Sequence, residues 1–252
     1  MNINLSGQRI LVTGASRGIG KAIAQQLSEA GAEILIHCHQ NKEAAKALQQ
    51  SLPHKSIVVS CDLAQTEQVI GWLPGLVKKF GKIDAVVNNA GIAIGVTDSS
   101  DTLDWFSVWE KTMAVNLNAL AIICKEFVEL AIKNTNGRII NISSRAAFRG
   151  DTPEYLAYAA SKGGIVSLTR SIARYYGKSG IKAFILAPGF TRTDMAEDIL
   201  GRYGEHFALN DIALNKLTEP EDIAPMVALL CSGLADHATG CTIDINAGSY
   251  VH

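Results

Sequence analysis

The sequence predicts an α/β protein built on a doubly wound parallel sheet of about seven strands, with helices on both faces. Strand-like apolar runs alternate with helix-like segments along the 252 residues, which is typical of βαβ units. The runs have the pattern of buried strands, which fits a sheet that is covered on both sides. The chain contains no internal repeat, low-complexity tract or linker, so we expect a single domain over residues 1–252.

Each element is placed from its apolar pattern, in chain order. The expected strands are 9–12, 34–37, 57–60, 85–87, 138–142, 182–186 and 242–245. The expected helices are 19–30, 42–52, 66–80, 104–134, 155–176 and 221–230. The irregular stretch 196–217 interrupts the alternation, and we expect it to form a short helical lid.

Residues 13–20 (Thr-Gly-Ala-Ser-Arg-Gly-Ile-Gly) follow the first strand and open the first helix. Strand, glycine turn and helix are the context that a dinucleotide-phosphate loop requires. The glycines permit a tight turn, and the helix N-terminus offers free N–H groups to phosphates. The spacing is Gly-x-x-x-Gly-x-Gly rather than Gly-x-Gly-x-x-Gly, so an ordinary glycine-rich βα turn is the alternative.

Two further segments place polar groups where strands end. Residues 88–91 (Asn-Asn-Ala-Gly) follow the fourth strand, and the fifth strand ends in Ser143 and Ser144. The carboxyl ends of strands are where open α/β sheets bind ligands. Each segment alone also fits turn chemistry, because Asn, Gly and Ser favour turns for local reasons.

Tyr158 and Lys162 lie four residues apart in the expected helix 155–176, and therefore on one helix face. A phenol ionises near pH ~10, and a nearby ammonium lowers that pKa. The two residues are thus a candidate general acid/base pair. The spacing alone also fits a partly exposed Tyr beside a solvated Lys; the three segments above favour the catalytic interpretation.

Together these segments closely resemble the short-chain dehydrogenase/reductase family. In that family a glycine loop, an Asn-Asn-Ala-Gly segment, a catalytic Ser, a Tyr-x-x-x-Lys pair and a Pro-Gly segment follow in this order; the last is residues 187–195 here. The similarity runs from Thr13 to Gly248 and is strongest to the 3-oxoacyl-acyl-carrier-protein reductase branch. It implies a Rossmann-like fold and NAD(P)-dependent hydride transfer between nicotinamide and a carbonyl or alcohol carbon.

The resemblance assigns four catalytic positions. Tyr158 would donate a proton to the forming alkoxide, and Lys162 would lower the Tyr158 pKa and hydrogen-bond the nicotinamide ribose. A serine hydroxyl would hold the substrate oxygen: Ser144, with an insertion in the loop that follows, or Ser143 as the alternative. Asn116 matches the position that supports a water chain to the lysine; the other interpretation is a polar residue that kinks its helix.

Charge indicates which cofactor is preferred. NAD enzymes place an acid after the second strand to bind the ribose 2′-OH, and residues 34–40 contain none. Arg17 lies in the glycine loop, and His39 and Lys42 lie near the expected ribose end, so a 2′-phosphate meets no like charge. The sequence therefore predicts NADP(H), although Arg17 by itself also fits a solvated turn residue.

The remaining cofactor contacts are implied by the resemblance. Asp62 matches the family's adenine-contacting acid and could also cap the helix that follows. The segment beginning at Pro188 would face the nicotinamide amide. The expected set is Gly14, Ser16, Arg17, Gly18, Ile19, Gly20, His39, Asp62, Leu63, Asn89, Ala90, Gly91, Tyr158, Lys162, Pro188, Gly189, Thr191 and Thr193.

Composition argues against several other classes of function. The formal net charge of −1 gives no general attraction to nucleic acid or an acidic membrane. We find no long apolar span and no basic-then-apolar N-terminus, so we expect neither a transmembrane helix nor a signal peptide.

The five scattered cysteines fit reduced thiols in a cytoplasmic protein. There is no Cys-x-x-Cys, and His37 and His39 lack convergent ligands, so we expect no metal site.

Three functions fit these observations. The leading one is an NADPH-dependent reductase of a 3-oxoacyl thioester, with acyl carrier protein as a possible partner met by Lys133, Lys178 and Lys182. The second is an NADP-linked alcohol, sugar or steroid dehydrogenase, in which Arg145 and Arg149 meet an anionic substrate or are simply loop surface charges. The third is a dinucleotide-sensing protein without turnover, which the complete catalytic set disfavours.

The resemblance also implies a homotetramer, assembled through the expected helices 104–134 and 155–176. It further implies that the segment near 196–217 covers the substrate.

Overall fold

The structure is a computed structural model that describes residues 3–97, 99–134, 136–194, 196, 201 and 204–251. Its strands are β1 Arg9–Val12, β2 Glu33–Cys38, β3 Ser56–Ser60, β4 Ala85–Asn88, β5 Gly137–Ile142, β6 Ile181–Pro188 and β7 Thr242–Ile245. Within the described ranges these strands form one parallel sheet in the order β3-β2-β1-β4-β5-β6-β7. The doubly wound fold predicted from the sequence is confirmed.

The helices flank this sheet. They are α1 Gly18–Glu29, α2 Lys42–Ser51, α3 Thr66–Val69, α4 Trp72–Phe80, α5 Thr102–Met113, α6 Ala119–Ala131, α7 Ala146–Arg149, α8 Leu156–Tyr176, α9 Glu205–Leu209 and α10 Pro220–Ser232. A π-helical turn, Ala114–Asn118, joins α5 to α6, and a 3₁₀ turn, Pro153–Tyr155, precedes α8. None of the helices in the described ranges has the length and apolar character needed to span a membrane.

Two separate cores lie on the two faces of the sheet. On β1, Ile10 and Val12 pack into the core formed with α1 and α10, whereas Leu11 packs into the core formed with α6 and α8. Successive side chains of a strand point to opposite faces, so one continuous apolar run supplies both cores. Burying each such side chain contributes roughly 1.5–3 kcal/mol to the stability of the fold.

The expected helix 66–80 is two helices, α3 and α4, separated at Gly71. Gly71 has a φ of 78°, a left-handed conformation that interrupts a helix. Pro74 follows three residues later. It has no N–H to donate to the Ile70 carbonyl, and its ring would clash there in a continuous helix. The Gly71 amide donates instead to Glu126 Oε1 of α6 at 2.6 Å.

The expected helix 104–134 begins at Thr102, because Asp101 caps it by accepting from the Asp104 amide at 2.9 Å. It is then interrupted by the π-helical turn that contains Asn116. Such turns insert one extra residue and often occur at functional sites. An apolar periodicity of 3.6 residues does not reveal them.

The other differences are short elements. Helix α7 follows β5 and was not expected from the sequence. The expected lid 196–217 contains α9 in its described part. Residues 197–200, 202 and 203 of that segment lie outside the described residues.

Candidate active site

The neighbouring strands β1, β4, β5 and β6 carry the candidate segments at their carboxyl ends. The chain winds outward in one direction from β1 to β3 and in the other from β4 to β7, so the strand order reverses between β1 and β4. Open α/β sheets bind ligands at this switch point. The structure therefore brings together the glycine loop, residues 88–91, the two serines and the Pro188–Gly189 turn.

Ser144 and Tyr158 are in direct contact. The Ser144 hydroxyl lies beside the Tyr158 phenol, where hydrogen bonding acts to lower the pKa of the phenol, and it accepts from the Ala146 amide at 3.1 Å. Ser143 instead donates its hydroxyl to the backbone carbonyl of Lys162 at 2.9 Å. Of the two serines that the sequence left open, Ser144 is therefore the one beside the phenol.

Lys162 is buried one helical turn after Tyr158 on α8. Its Nζ donates to the Ile142 carbonyl at 2.9 Å and lies 5.6 Å from the centre of the Tyr158 ring. Burial lowers the pKa of Lys162 to about 8, because the charged form loses its hydration. The ammonium is still the main form at pH 7.

The pKa of Tyr158 is shifted in the direction opposite to the one expected from the sequence. Burial raises the pKa of the phenol, the hydrogen bond from Ser144 acts to lower it, and the charge of Asp151 acts to raise it. The Lys162 Nζ donates its hydrogen bond to the Ile142 carbonyl rather than to the phenol. Loss of hydration therefore outweighs the attraction between phenolate and ammonium, and the pKa of Tyr158 rises. The phenol is therefore a neutral proton donor at pH 7.

Asn116 connects the loop after β4 to α8. Its Oδ1 accepts from the Ile92 amide at 2.8 Å, and its Nδ2 donates to the Ile92 carbonyl at 2.9 Å. The same Nδ2 donates to Ser161 Oγ at 3.1 Å. A Cβ on Gly91 would lie 3.4 Å from both Asn116 Oδ1 and Lys162 Nζ, so these two polar groups converge at Gly91.

The backbone of the glycine loop packs directly against the backbone of the segment after β4. A Cβ on Gly14 would lie 2.9 Å from Ala90 Cα, and a Cβ on Gly20 would lie 2.3 Å from the Gly14 carbonyl oxygen. Asn89 Nδ2 donates to the carbonyls of Thr13 at 2.9 Å and Gly14 at 3.2 Å. Positions 14 and 20 therefore require glycine, and the loop brings the first turn of α1 to the sheet edge, an arrangement that binds phosphates.

The segment after β6 returns to this loop. A Cβ on Gly18 would lie 3.2 Å from the methyl group of Thr193, and Arg17 pairs with Asp194 at 3.2 Å. Met195, the last residue of the expected segment, lies outside the described residues. The other members of the expected set that lie on these segments are Ser16, Ile19, Pro188, Gly189 and Thr191.

His39 and Asp62, expected at the adenine ribose, lie close to each other. His39 Nε2 is 3.6 Å from Asp62 Oδ2. Asp62 Oδ1 accepts from the Ala64 amide at 3.0 Å, so Asp62 shapes the turn after β3 and does not cap α3, which begins at Thr66. Leu63 is buried in the core beneath them.

Arg145 and Arg149 both pair with Asp211 of the expected covering segment. Arg145 Nη1 lies 2.6 Å and Arg149 Nη1 lies 3.0 Å from Asp211 Oδ2. Only 14% of the Arg145 side chain is exposed, so it is not a solvated surface charge. The two arginines tie the covering segment to the loop after Ser144.

Three buried polar side chains support the site and were not singled out from the sequence. Asn141 of β5 accepts from Asn88 Nδ2 and donates to Thr169 Oγ1, both at 2.8 Å. Ser161 donates to the Tyr158 carbonyl at 2.7 Å. An Asn inside an apolar strand is a usable signal, because buried polar groups need partners. Ser161 and Thr169 carry no such signal, since polar residues also fit an exposed helix face.

Lys133, Lys178 and Lys182 do not flank the site entrance. Lys133 lies just before β5, and Lys178 and Lys182 lie at the start of β6. Strands rise ~3.3 Å per residue, so these lysines lie at the opposite edge of the sheet. The suggestion that they meet a carrier protein at the entrance is wrong.

Among the described residues, no group of three or more His, Cys, Asp or Glu side chains is arranged to hold a metal ion.

Comparison with known proteins identifies the family. A family model described as enoyl-(acyl carrier protein) reductase matches residues 14–250. The chain belongs to the short-chain dehydrogenase/reductase family. It is an NAD(P)-dependent oxidoreductase of the class that acts on alcohol and carbonyl groups. The membership inferred from the sequence motifs is confirmed.

The relatives are similar over their full length. A 3-oxoacyl-[acyl-carrier-protein] reductase of Rickettsia felis is 36% identical over 249 residues, with 98% of both chains covered. One of Staphylococcus aureus is 34% identical over 244 residues, covering 96% of this chain and 97% of the relative. A solved structure from Agrobacterium tumefaciens, assigned as a 2-deoxy-d-gluconate 3-dehydrogenase with bound NADP, matches with a TM-score of 0.87 at 28% identity over 98% of both chains.

Substitution of each serine in turn distinguishes the roles of Ser143 and Ser144. We expect Ser144→Ala to lower kcat/KM for carbonyl reduction about 10²–10³-fold, because it removes the hydroxyl beside the phenol. Ser143→Ala removes a hydrogen bond to backbone, so it should lower the melting temperature and leave most of the activity. Steady-state kinetics and thermal denaturation of both variants measure this. Equal losses of activity would contradict the assignment.

The pKa of Lys162 predicts a pH dependence. Its ammonium is present below about pH 8 and is lost as the pH rises through that value. Because the pKa of Tyr158 is raised, the phenol keeps its proton over the same range. We therefore expect kcat/KM for reduction to fall above about pH 8, by tenfold per pH unit. A profile that stays flat to pH ~10, where free lysine titrates, would remove Lys162 from the mechanism.

Proposed function

We propose that this protein is an NADPH-dependent reductase that transfers a hydride to the carbonyl of a 3-oxoacyl thioester. The observation that carries the proposal is the placement of Ser144 beside the Tyr158 phenol, one turn from buried Lys162 and at the same sheet edge as the glycine loop. Full-length similarity to 3-oxoacyl-[acyl-carrier-protein] reductases supports the thioester substrate.

Each catalytic side chain has one task in this proposal. When bound, the nicotinamide supplies the hydride. The Ser144 hydroxyl donates a hydrogen bond to the substrate carbonyl oxygen, and the Tyr158 phenol transfers its proton to that oxygen as negative charge develops there. The Lys162 ammonium stabilises the phenolate that remains. Asn116 holds Ile92 and Ser161 and so keeps the loop after β4 at a constant distance from α8.

The charges of the dinucleotide site fit NADP(H). No acidic residue that would repel a 2′-phosphate stands at the end of β2, where the sequence reads Cys38, His39 and Gln40. Arg17 is exposed in the glycine loop, and its pairing with exposed Asp194 is of a kind that stabilises by only ~0–1 kcal/mol. A 2′-phosphate can therefore take the place of Asp194 on Arg17. The NADP bound by the Agrobacterium relative supports the same choice.

A second candidate function is an NADP-linked sugar-acid dehydrogenase. Arg145 and Arg149, which are close to Ser144 in sequence, share Asp211, and a substrate carboxylate can take the place of Asp211 on this arginine pair. The solved relative assigned as a 2-deoxy-d-gluconate 3-dehydrogenase supports this alternative. A sensor without turnover is disfavoured, because Ser144, Tyr158, Lys162 and Asn116 are all present and converge.

The proposed function is tested with the purified protein and a substrate panel. We expect NADPH oxidation with acetoacetyl thioesters of coenzyme A and of acyl carrier protein, and about 10²–10⁴-fold lower turnover in Tyr158→Phe. Crotonyl thioester tests the alternative of double-bond reduction, and gluconate with NADP⁺ tests the sugar-acid alternative. NADPH binding without turnover of any of these compounds would favour the sensor.

The same assay measures cofactor choice. We expect Arg17→Gln to raise KM for NADPH about tenfold, since one charge-assisted phosphate contact is lost, and to leave KM for NADH unchanged. Asp194→Asn is the matched control, because it removes the partner of Arg17 and keeps the guanidinium. Equal effects of Arg17→Gln on both cofactors would place the 2′-phosphate elsewhere.

We also propose a homotetramer that forms through α5 and α8. Leu103 and Phe106 of α5 and Tyr175 of α8 are large side chains that remain exposed, and exposed apolar patches mark interfaces. Sedimentation velocity should give the mass of four chains; a monomer at micromolar concentration would contradict it.

All five cysteines are free thiols rather than disulfides, which supports a cytoplasmic location that cell fractionation can test.

A further inference from the structure

His37 lies beneath the glycine loop and has no role in the proposed chemistry. Only 2% of its surface is exposed, and it belongs to β2, next to β1. The Gly14 amide donates to His37 Nδ1 at 3.0 Å, and His37 Nε2 lies 3.1 Å from the Cys61 carbonyl oxygen. The Trp72 ring and the imidazole pack in a T-shaped arrangement with their ring centres 5.1 Å apart.

These contacts determine the protonation state of the ring. A backbone N–H only donates and a carbonyl only accepts, so Nδ1 carries the lone pair and Nε2 carries the proton. Only the neutral imidazole satisfies both groups, because an imidazolium has no acceptor for the Gly14 amide. Burial lowers the pKa of His37 to about 4 although the hydrogen bond to the Cys61 carbonyl acts to raise it, in agreement with a neutral ring at pH 7.

The two partners of the ring belong to the two ends of the dinucleotide site. Gly14 begins the phosphate loop, and its φ of 63° is a left-handed conformation. The next amide, of Ala15, donates to the His37 carbonyl at 2.9 Å, so one residue holds two consecutive amides of the loop. Cys61 directly precedes Asp62, the residue expected to contact adenine.

We propose that His37 is a positioning residue for the dinucleotide. Its neutral imidazole holds Gly14 in the phosphate-binding conformation and sets the distance between the glycine loop and the Cys61–Asp62 turn. The inference rests on the proposed function, since it concerns the affinity of that same cofactor. His37 touches neither the substrate nor the reacting atoms, so it controls binding of NADPH rather than the rate of hydride transfer.

Three substitutions separate the two hydrogen bonds of the ring. His37→Asn places an oxygen near the Nδ1 position and keeps the acceptor for Gly14. His37→Gln places an amide near the Nε2 position and keeps the donor to Cys61. His37→Phe keeps the ring and removes both bonds. His54→Asn, at an exposed histidine in the loop before β3, is the control.

The readout is the Kd of NADPH, from its own fluorescence, together with kcat at saturating NADPH. We expect His37→Phe and His37→Gln to raise Kd about threefold to tenfold, as one lost hydrogen bond predicts, while kcat is unchanged. His37→Asn should stay within about twofold of the wild type. Weakening by His37→Asn equal to that by His37→Phe, or no weakening in any variant, would overturn the inference.

A measurement on the wild type covers the case in which the variants do not fold. ¹⁵N spectra of the imidazole at pH 7 should show Nδ1 without a proton and Nε2 with one; a protonated Nδ1 contradicts the inference. Wild-type protein that binds no NADPH would refute the proposed function and the inference together. Unchanged NADPH affinity in the variants refutes the inference alone.

Discussion

The parallel register of β1, β4, β5 and β6 is the constraint on which the rest of the site depends. The ladder pairs Val12 with Val87, Asn88 with Asn141, and Ile142 with Leu186, so these strands end at one edge. Parallel sheets are covered by helices on both faces, and α1, α5 and α8 follow β1, β4 and β5 on the side of this edge. The glycine loop, the polar strand ends and α8 meet because backbone hydrogen bonds leave them no other arrangement.

Loss of hydration has the largest effect on the pKa values of the buried groups at the carboxyl edge of the sheet. Burial raises the pKa of Tyr158, lowers that of Lys162 to about 8 and lowers that of His37 to about 4. In all three cases the neutral form gains relative to the charged form, as expected for a site with little water. The phenol and the imidazole are therefore uncharged at pH 7, and of these three groups only the lysine is a cation.

Ion pairs of a different kind hold the segment that is expected to cover the substrate. Arg149 pairs with Asp211 and Arg192 with Glu205, and both pairs are exposed, whereas Arg145, which shares Asp211, is mostly buried. Exposed pairs contribute ~0–1 kcal/mol each, which is small beside the buried hydrogen bonds of Asn116 and Asn141. The scaffold of the site is therefore held more strongly than its cover, a difference that suits a site that must admit substrate and release product.

The sequence by itself determined the strands, the order of the motifs and the family, because apolar periodicity and short spacings are local properties of the chain. It also placed Tyr158 and Lys162 on one helix face. Only the tertiary structure decided that Ser144 rather than Ser143 meets the phenol, and that the lysines before β5 and β6 lie at the far edge. It also decided the direction of the Tyr158 pKa shift and the contacts of His37. These properties depend on burial and orientation among residues far apart in sequence, such as His37 with Gly14 and Cys61, and no local pattern encodes them.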